Sequence, residues 1–219
     1  MADTAGALIA QLLPLADRHF VPPLLDAEIA ERVLGPSGAP RTPHRRLLDA
    51  MNGGYFFGRA LHLFGACDEP AWHSLARWNS ASLWRDAYGD VARDLVVFAE
   101  DAFGDQFAYS GFGGEVVCLE GELGRVSSIA PHFVAWLEAV LAAPTEVLPI
   151  DVLAREADAG RPLADGQQLY AYPPLCTIES KSDVTIGHVD AVEAMRFRGD
   201  LARQLRDLPP GTRVRIDVE

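Results

Sequence analysis

Three carboxylates stand close together in the segment AEDAFGDQ, at Glu100, Asp101 and Asp105. Such a group can act as a general acid and base or can bind a divalent cation. A turn offers another interpretation, because aspartate in a strand-connecting turn accepts hydrogen bonds from nearby backbone amides and Gly104 permits the turn geometry. We expect a structural role for Asp105. For Glu100 and Asp101, a structural role and contact with a partner both stay open.

The spacings typical of enzyme families are missing: the chain has no P-loop, no GxSxG, no HExxH and no paired CxxC. The run GFGG at residues 111–114 resembles a phosphate-binding loop, but a strand pattern follows it, so it predicts a hairpin turn. The 6 histidines do not pair at ligand spacing, and a zinc site would need distant residues to converge. We therefore predict no catalytic residue, cofactor or metal. A carboxylate-based hydrolase is kept as a remote alternative.

Acidic residues dominate the chain, with 31 Asp and Glu against 19 Lys and Arg and a formal net charge of −12. This balance opposes direct binding to nucleic acid or to an anionic membrane. Eight carboxylates and one arginine lie between residues 90 and 122. The acidic segment is either a solvated face or a surface that captures a basic protein. For the second case, the predicted contact residues are Glu100, Asp101, Glu115, Glu120 and Glu122.

The four tryptophans divide into two pairs. Trp84 and Trp136 fall on helical apolar stripes, which predicts that they lie in the core. Trp72 and Trp78 lie in the irregular segment DEPAWHSLARWNS, where burial and a role as interface anchors are both open.

Several features bear on the compartment. No stretch approaches the ~20 apolar residues of a membrane span. The first twenty residues lack a basic region, and Asp3 and Pro14 interrupt the apolar run, so no signal peptide is predicted. The 3 cysteines are far apart, which favours free thiols. We expect a cytoplasmic protein.

Helical spacing and Pro/Gly loops alternate over the first ninety residues. Helices are predicted behind Thr4, from the cap Asp26 to Gly35, from Thr42-Pro43 to Asn52-Gly53-Gly54, and from Ser80 to Gly89, with a short strand at residues 55–57.

From residue 94 the period becomes strand-like. The runs LVVFAE, DQFAYS, EVVCLE and GRVSSIA are separated by short turns and predict an antiparallel meander, and a helix then opens at Pro131. Residues 146–219 have a weaker pattern, with a helix over 151–159, an irregular YAYPPLC, a helix bearing Leu201 and Leu205, and a final strand VRIDV.

The order and spacing of several segments resemble the SUKH superfamily, which includes a yeast cell-wall-synthesis regulator and many bacterial immunity proteins. The likeness covers roughly residues 26–143. The segments that carry it are LLDAMNGGYFF, ALHLFG, LARWNSASLW, VVFAEDAFGDQFAYS and GEVVCLEGELGRVSSIAPHFVAWLEAVL. Its most specific pieces are Gly104-Asp105 followed by Phe107, similar to the Gly-Asp strand motif of that family, and Asn52-Gly53-Gly54 after a core helix.

The resemblance implies an α+β domain, an antiparallel sheet meander flanked by helices, and a binding role, since family members are not known as enzymes. Bacterial members typically capture a toxin, often a nuclease. We therefore expect a SUKH-like domain over residues 1–145 and a C-terminal α+β extension over 146–219, packed on or beside it. The expected partner is a protein, a cognate toxin for an immunity protein; the alternative is a regulatory or scaffold protein that binds a host protein or peptide. The partner's identity and the oligomeric state are left open.

Overall fold

A computed structural model describes residues 3–36, 38–111, 113–182, 184–209 and 211–213. The α helices of these residues are α1 Thr4–Leu12, α2 Ala27–Leu34, α3 Thr42–Ala50, α4 Leu75–Trp78, α5 Phe133–Ala142, α6 Pro144–Val147, α7 Ile150–Asp158 and α8 Ala191–Leu205. The strands are β1 Gly54–Phe56, β2 Leu61–Leu63, β3 Leu95–Asp101, β4 Gln106–Ser110, β5 Val116–Glu120, β6 Arg125–Ala130, β7 Gln167–Tyr172 and β8 Thr185–Asp190. Short 3-10 helices occupy Leu13–Leu15, Arg85–Ala92 and Glu179–Lys181.

The first six strands form one antiparallel sheet in chain order, from β1 to β6. This confirms the predicted meander, and the helices around it make the fold α+β. Short connections join all neighbouring strands except β2 and β3, between which residues 64–94 contain α4 and a 3-10 helix. Gly111, Gly113 and Gly114 lie in the connection between β4 and β5, as predicted for a hairpin.

The two edges of the sheet differ. Beside β1, the amide of Asp17 donates to Tyr55 at 2.8 Å and the amide of Phe57 donates to Leu15 at 3.3 Å, so the preceding chain covers that edge. Beyond β6, no further strand pairs with the sheet within the part of the chain that the structure describes. Among the described residues, one edge is therefore covered and the other is open.

Aromatic side chains fill both faces of the sheet. On one face, the Trp136 ring of α5 lies 4.9 Å from that of Phe98 and 5.4 Å from that of Phe107. On the other, Trp84 packs edge-on against Tyr88 at 5.4 Å. Trp84 and Trp136 are buried in the core, as predicted. Each such side chain contributes about 2–3 kcal/mol by leaving water.

The C-terminal segment packs against the six-stranded sheet and its helices. Strands β7 and β8 form a hairpin, and the amide of Leu169 donates to Ala102 at 2.7 Å. Helix α8 lies against the 3-10 helix at Arg85–Ala92, where a Cβ on Gly199 would approach the Cβ of Ala87 to 2.6 Å. Only glycine therefore permits this helix contact.

Some local predictions need correction. The expected helix from Ser80 to Gly89 is instead a set of turns followed by the 3-10 helix at Arg85–Ala92, because Trp84 is non-helical with a φ of −149°. Gly89, with a φ of +62°, separates two 3-10 segments there. The N-cap of α1 is Asp3 and that of α3 is Arg41, one residue before each expected start.

Other elements were missed or lie outside the description. Strand β2 and strand β8 had no clear pattern, and the YAY of YAYPPLC lies in β7. The predicted strand VRIDV falls outside the described residues. Among the described helices, none has the length and apolar character needed to cross a bilayer.

Candidate functional site

Glu100 lies inside the protein and is 3% exposed. It stands on β3, a central strand, opposite His62 of β2 and Gln106 of β4. Both faces of β3 are covered, and six of its seven residues are buried. The apolar run LVVFAE therefore carries its carboxylate into the core, where a buried charge requires hydrogen-bond partners.

Both carboxyl oxygens of Glu100 have partners. Its Oε2 accepts hydrogen bonds from Nε2 of Gln106 at 3.0 Å and from Nε2 of Gln168 at 2.7 Å. Its Oε1 lies 3.2 Å from Nδ1 of His62. The chain continues through His62 Nε2 to His73 Nδ1 at 2.9 Å, and His73 Nε2 lies 3.1 Å from the carbonyl oxygen of Asn52.

Two donors fix the amide orientations around Glu100. The Nε1 of Trp78 donates to Oε1 of Gln106 at 2.8 Å, and Arg198 of α8 donates to Oε1 of Gln168. Arg198 also donates to the carbonyl of Leu169 at 2.6 Å. We call the set Glu100, His62, His73, Gln106, Gln168 and Arg198 the Glu100 network. It joins the six-stranded sheet to β7 and α8.

Burial changes the pKa values within this network. It raises the pKa of Glu100 to about 7, against the opposing effect of the hydrogen bonds from Gln106 and Gln168 and of the Arg198 charge. It lowers the pKa of His62 and of His73 to about 3. Both imidazoles are therefore uncharged at neutral pH.

Asp101 and Asp105 shape the turn between β3 and β4 and the turn after β5. Oδ1 of Asp101 accepts from the amides of Phe103 and Asp105, both at 2.9 Å. Oδ1 of Asp105 accepts from the amide of Gly121 at 2.8 Å. Burial, with the neighbouring Asp105, raises the pKa of Asp101 well above its usual range. The turn-capping role expected of Asp105 belongs to Asp101, while Asp105 ties the turn to the next hairpin.

Gly104 lies at the same turn with a φ of +81°. A Cβ there would stand 2.6 Å from Oε1 of Gln168 and 2.7 Å from Nη1 of Arg198. The glycine is required both by its backbone conformation and by the approach of the Glu100 network. Phe107, the last residue of this predicted motif, is a core residue under Trp136.

The Asn52-Gly53-Gly54 run follows α3 and holds the loop after β2. Asn52 donates from Nδ2 to Ala66 at 3.2 Å and accepts from the Ala66 amide at 2.7 Å, in the manner of a paired strand. Gly53 has a φ of +75°, and a Cβ there would lie 2.8 Å from Cε1 of His73. The run therefore places the carbonyl of Asn52 on His73.

The predicted partner residues occupy different environments. Glu100 and Asp101 are buried and hydrogen-bonded, so the prediction that they contact a partner is corrected: β3 is covered on both faces. Trp78 is fully buried against Phe64 and is likewise corrected as an interface anchor. Trp72 is half-buried, with its ring 5.8 Å from that of Phe20.

Glu115 precedes β5, Glu120 is the last residue of that strand, and Glu122 lies in the turn between β5 and β6. Glu115 is exposed and accepts a hydrogen bond from the hydroxyl of Ser128 at 2.7 Å. Glu120 is half-buried and stands opposite Arg125 in β6. Glu122 accepts from the amides of Leu175 at 3.2 Å and Cys176 at 2.7 Å, so it fastens the C-terminal segment.

Strand β6 forms the open edge next to these carboxylates. Five of its six residues are exposed, and Val126 and Ile129 are each 42% exposed. We call β6 together with Glu115 and Glu120 the acidic edge. It combines backbone hydrogen-bonding groups and apolar side chains with two glutamates, one of which stands opposite the exposed Arg125.

The sequence interpretation missed His62, His73, Gln106, Gln168 and Arg198 as members of one site. The histidines are eleven positions apart and lie in different loops and strands, so no local spacing joins them. The only signal was a polar residue inside an apolar run, as with His62 between Leu61 and Leu63.

The histidines do converge with a carboxylate, but they form a line of hydrogen bonds. Within the described residues, no group of three or more His, Cys, Asp or Glu side chains is arranged to hold a metal ion. Cys67, Cys118 and Cys176 are free, as predicted, with Cys67 buried and the other two half-buried.

Comparison with known proteins gives one structural match and one family match over part of the chain. No curated protein shows significant sequence similarity to it. A crystal structure of Atu4351 from Agrobacterium tumefaciens matches with a TM-score of 0.58 at 16% identity, over 91% of this chain and 89% of that one, which shows a shared fold. Residues 43–139 match the SMI1 / KNR4 family (SUKH-1), in agreement with the sequence resemblance. The matched region, which contains the central sheet, the Asn52 run and Glu100, supports assignment of the chain to the SUKH superfamily.

Proposed function

We propose that the protein is a non-catalytic immunity protein that captures a basic toxin domain on the acidic edge. The family match over residues 43–139 supports a binding role. The single observation that carries the choice of surface is the open edge strand β6, exposed at five of six residues beside Glu115 and Glu120.

The acidic edge offers the three kinds of contact that a protein interface uses. Its unpaired backbone can accept an added strand. Val126 and Ile129 supply apolar area at the centre of the strand. Glu115 and Glu120 then favour a partner with arginine or lysine around that strand.

The negative charge of the chain supports a basic partner. The net charge of −12 attracts a basic protein from a distance, and a nuclease is basic where it meets phosphate. The mechanism is occlusion: the bound protein covers the basic surface and excludes its substrate. Catalysis by this chain is not needed.

The test compares matched pairs of charge reversals. Glu115→Lys with Glu120→Lys alters the acidic edge, and Glu28→Lys with Glu31→Lys makes the same change in charge on α2, where both glutamates are exposed. The association rate with the toxin domain encoded beside the gene is measured at low and high salt. We expect about a tenfold slower association for the edge pair at low salt and a smaller effect for the α2 pair.

Two results would contradict the proposal. Equal rates for both pairs would remove the acidic edge as the surface. A gene neighbourhood without any toxin, combined with binding to a host protein, would favour the regulatory or scaffold function instead.

A further inference from the structure

Three hydrogen-bond links join Glu100 to the backbone of Asn52. They run from Glu100 Oε1 to His62 Nδ1 at 3.2 Å, from His62 Nε2 to His73 Nδ1 at 2.9 Å, and from His73 Nε2 to the Asn52 carbonyl at 3.1 Å. The carbonyl oxygen of Asn52 carries no proton, so Nε2 of His73 must be the donor in the last link.

Counting protons along these links gives a definite result. Each link needs one proton, and each neutral imidazole carries one. Two neutral histidines therefore fill two links, and the direction set by Asn52 assigns them to the Nε2 atoms of His73 and His62. The link between His62 Nδ1 and Glu100 needs a third proton.

The other oxygen of Glu100 cannot hold that proton without losing a hydrogen bond. Gln106 and Gln168 both present their NH₂ groups to Oε2, since their own oxygens accept from Trp78 and Arg198, which can only donate. The proton therefore belongs on Oε1, facing His62. An ionised Glu100 with neutral histidines would leave two lone pairs facing each other at one of the three links.

We propose that Glu100 holds this proton as a neutral carboxylic acid, and that its release at alkaline pH loosens the segment of residues 65–75 that carries His73. The network is then a pH-sensitive switch built into the sheet.

Charged and titratable groups surround the network on every side. They are Tyr55 of β1, Arg59 before β2, Asp101 and Asp105 at the β3–β4 turn, Asp165 before β7, and Arg198 of α8. Arg59 pairs with Asp17 and Asp165, so its charge is compensated nearby. The charge of Arg198 favours ionisation of Glu100, but burial of Glu100 has the larger effect.

The loop after β2 depends on the last two links. The amide of Gly65 donates to the carbonyl of His73 at 2.9 Å, and the amide of Leu75 donates to Gly65 at 2.8 Å. The ring of Trp72 lies 5.7 Å from that of His73 and 5.8 Å from that of His62. If two lone pairs face each other in the histidine chain, the contacts that hold this loop should therefore weaken first.

The direction of the pH effect follows from the pKa values. Glu100 has a pKa raised from about 4.3 in an unfolded chain to about 7, so its contribution is present at low pH and is lost as the pH rises through 7. His62 and His73 have lowered pKa values, so their contribution is present above about pH 6.5 and is lost on acidification. The switch therefore opens on the alkaline side.

Glu100→Gln tests the proposal because glutamine copies the neutral acid. Its NH₂ donates to His62 and its oxygen accepts from Gln106 and Gln168, so each link is retained at every pH. Denaturant unfolding is measured for both proteins at pH 6.5 and 8.5. We expect the folding constant of the native protein to fall about fourfold relative to that of the variant between these pH values.

Glu156→Gln is the matched control. Glu156 is another buried carboxylate beside a histidine, but it forms an ion pair with Arg161 at 2.8 Å and its pKa is lowered. Between pH 6.5 and 8.5 this variant should show no gain over the native protein. Hydrogen exchange of residues 65–75 should be faster in the native protein than in Glu100→Gln at pH 8.5 and equal in both at pH 6.5.

The same experiments can contradict the proposed pH switch. It would be refuted if the ratio of the folding constants of the native protein and Glu100→Gln were the same at pH 6.5 and 8.5. If the variant does not fold, NMR of the native protein decides. An ionised Glu100 with two neutral histidines throughout pH 5–9 would refute the proposal, and a Glu100 carboxyl that titrates near pH 7 beside Nε2-protonated histidines would support it.

Discussion

Glu100 and Glu115 come from one acidic run, yet the two carboxylates lie in opposite kinds of environment. Glu100 is in a central strand, 3% exposed, and is hydrogen-bonded to three side chains. Glu115 borders the open edge, is exposed, and accepts from one serine. The position of a strand within the sheet, and not the density of charge along the chain, decides which carboxylates can meet a partner.

The difference also separates two functions within one sheet. The Glu100 network ties β7 and α8 to the central strands and stabilises the fold. The acidic edge contributes little to the core and presents free polar groups. Substitutions in the first region should act on stability, and those in the second on binding.

Arg198→Met should give the largest effect. It leaves the oxygens of Gln168 and Leu169 without a donor and removes a positive charge near Asp101 and Asp105, so we expect a loss of about 3–5 kcal/mol in the free energy of unfolding. Chemical denaturation measures it. Arg203→Met is the control on the same helix, where an exposed pair with Asp200 is worth less than about 1 kcal/mol. Equal losses for both would remove the contrast between interior and surface.

Gly104→Ala should give an intermediate effect. The new methyl group is strained at φ +81° and displaces Gln168 and Arg198, which together cost about 2–3 kcal/mol. Gly111→Ala has a φ of +57° with nothing within 4 Å of the new Cβ, so only the backbone cost of about 1 kcal/mol applies. Thermal or denaturant unfolding of both variants separates strain from displacement. If Gly104→Ala lowers the free energy of unfolding no more than Gly111→Ala does, Gln168 and Arg198 can move aside at little cost.

Glu115→Gln should give the smallest effect on stability. The amide oxygen still accepts from Ser128, and the side chain is exposed, so the free energy of unfolding should change by less than about 0.5 kcal/mol. The same unfolding assay checks it. A loss of several kcal/mol would mean that the edge carboxylate supports the fold, contrary to its exposure.

The meander and most helices could be predicted because their signals are local. Alternating residues, short turns and the cap at Asp26 specify β3 to β6 and α2 within a few positions. Strand β2 could not, since its three residues are all buried and show no alternation. The helix expected from Ser80 to Gly89 did not form because Trp84 adopts a non-helical conformation that helical spacing does not reveal.

The members of the Glu100 network were harder to predict from the sequence than the strands and helices. Glu100 was singled out as a carboxylate of note, but its partners come from four other parts of the chain. Gln168 and Arg198 lie more than sixty positions beyond it, and only the packing of α8 brings them close. The family resemblance recovered the glycine and asparagine motifs that border this network and did not reveal the convergence of its polar side chains.

Gln168 contributes one of the two amides on Glu100 Oε2, and it lies outside the family-matched residues 43–139. A fragment trimmed to the matched region would retain the buried acid and lose one of its donors together with the arginine behind it. A shortened chain must therefore keep β7 and α8 if the carboxyl group of Glu100 is to retain its hydrogen bonds.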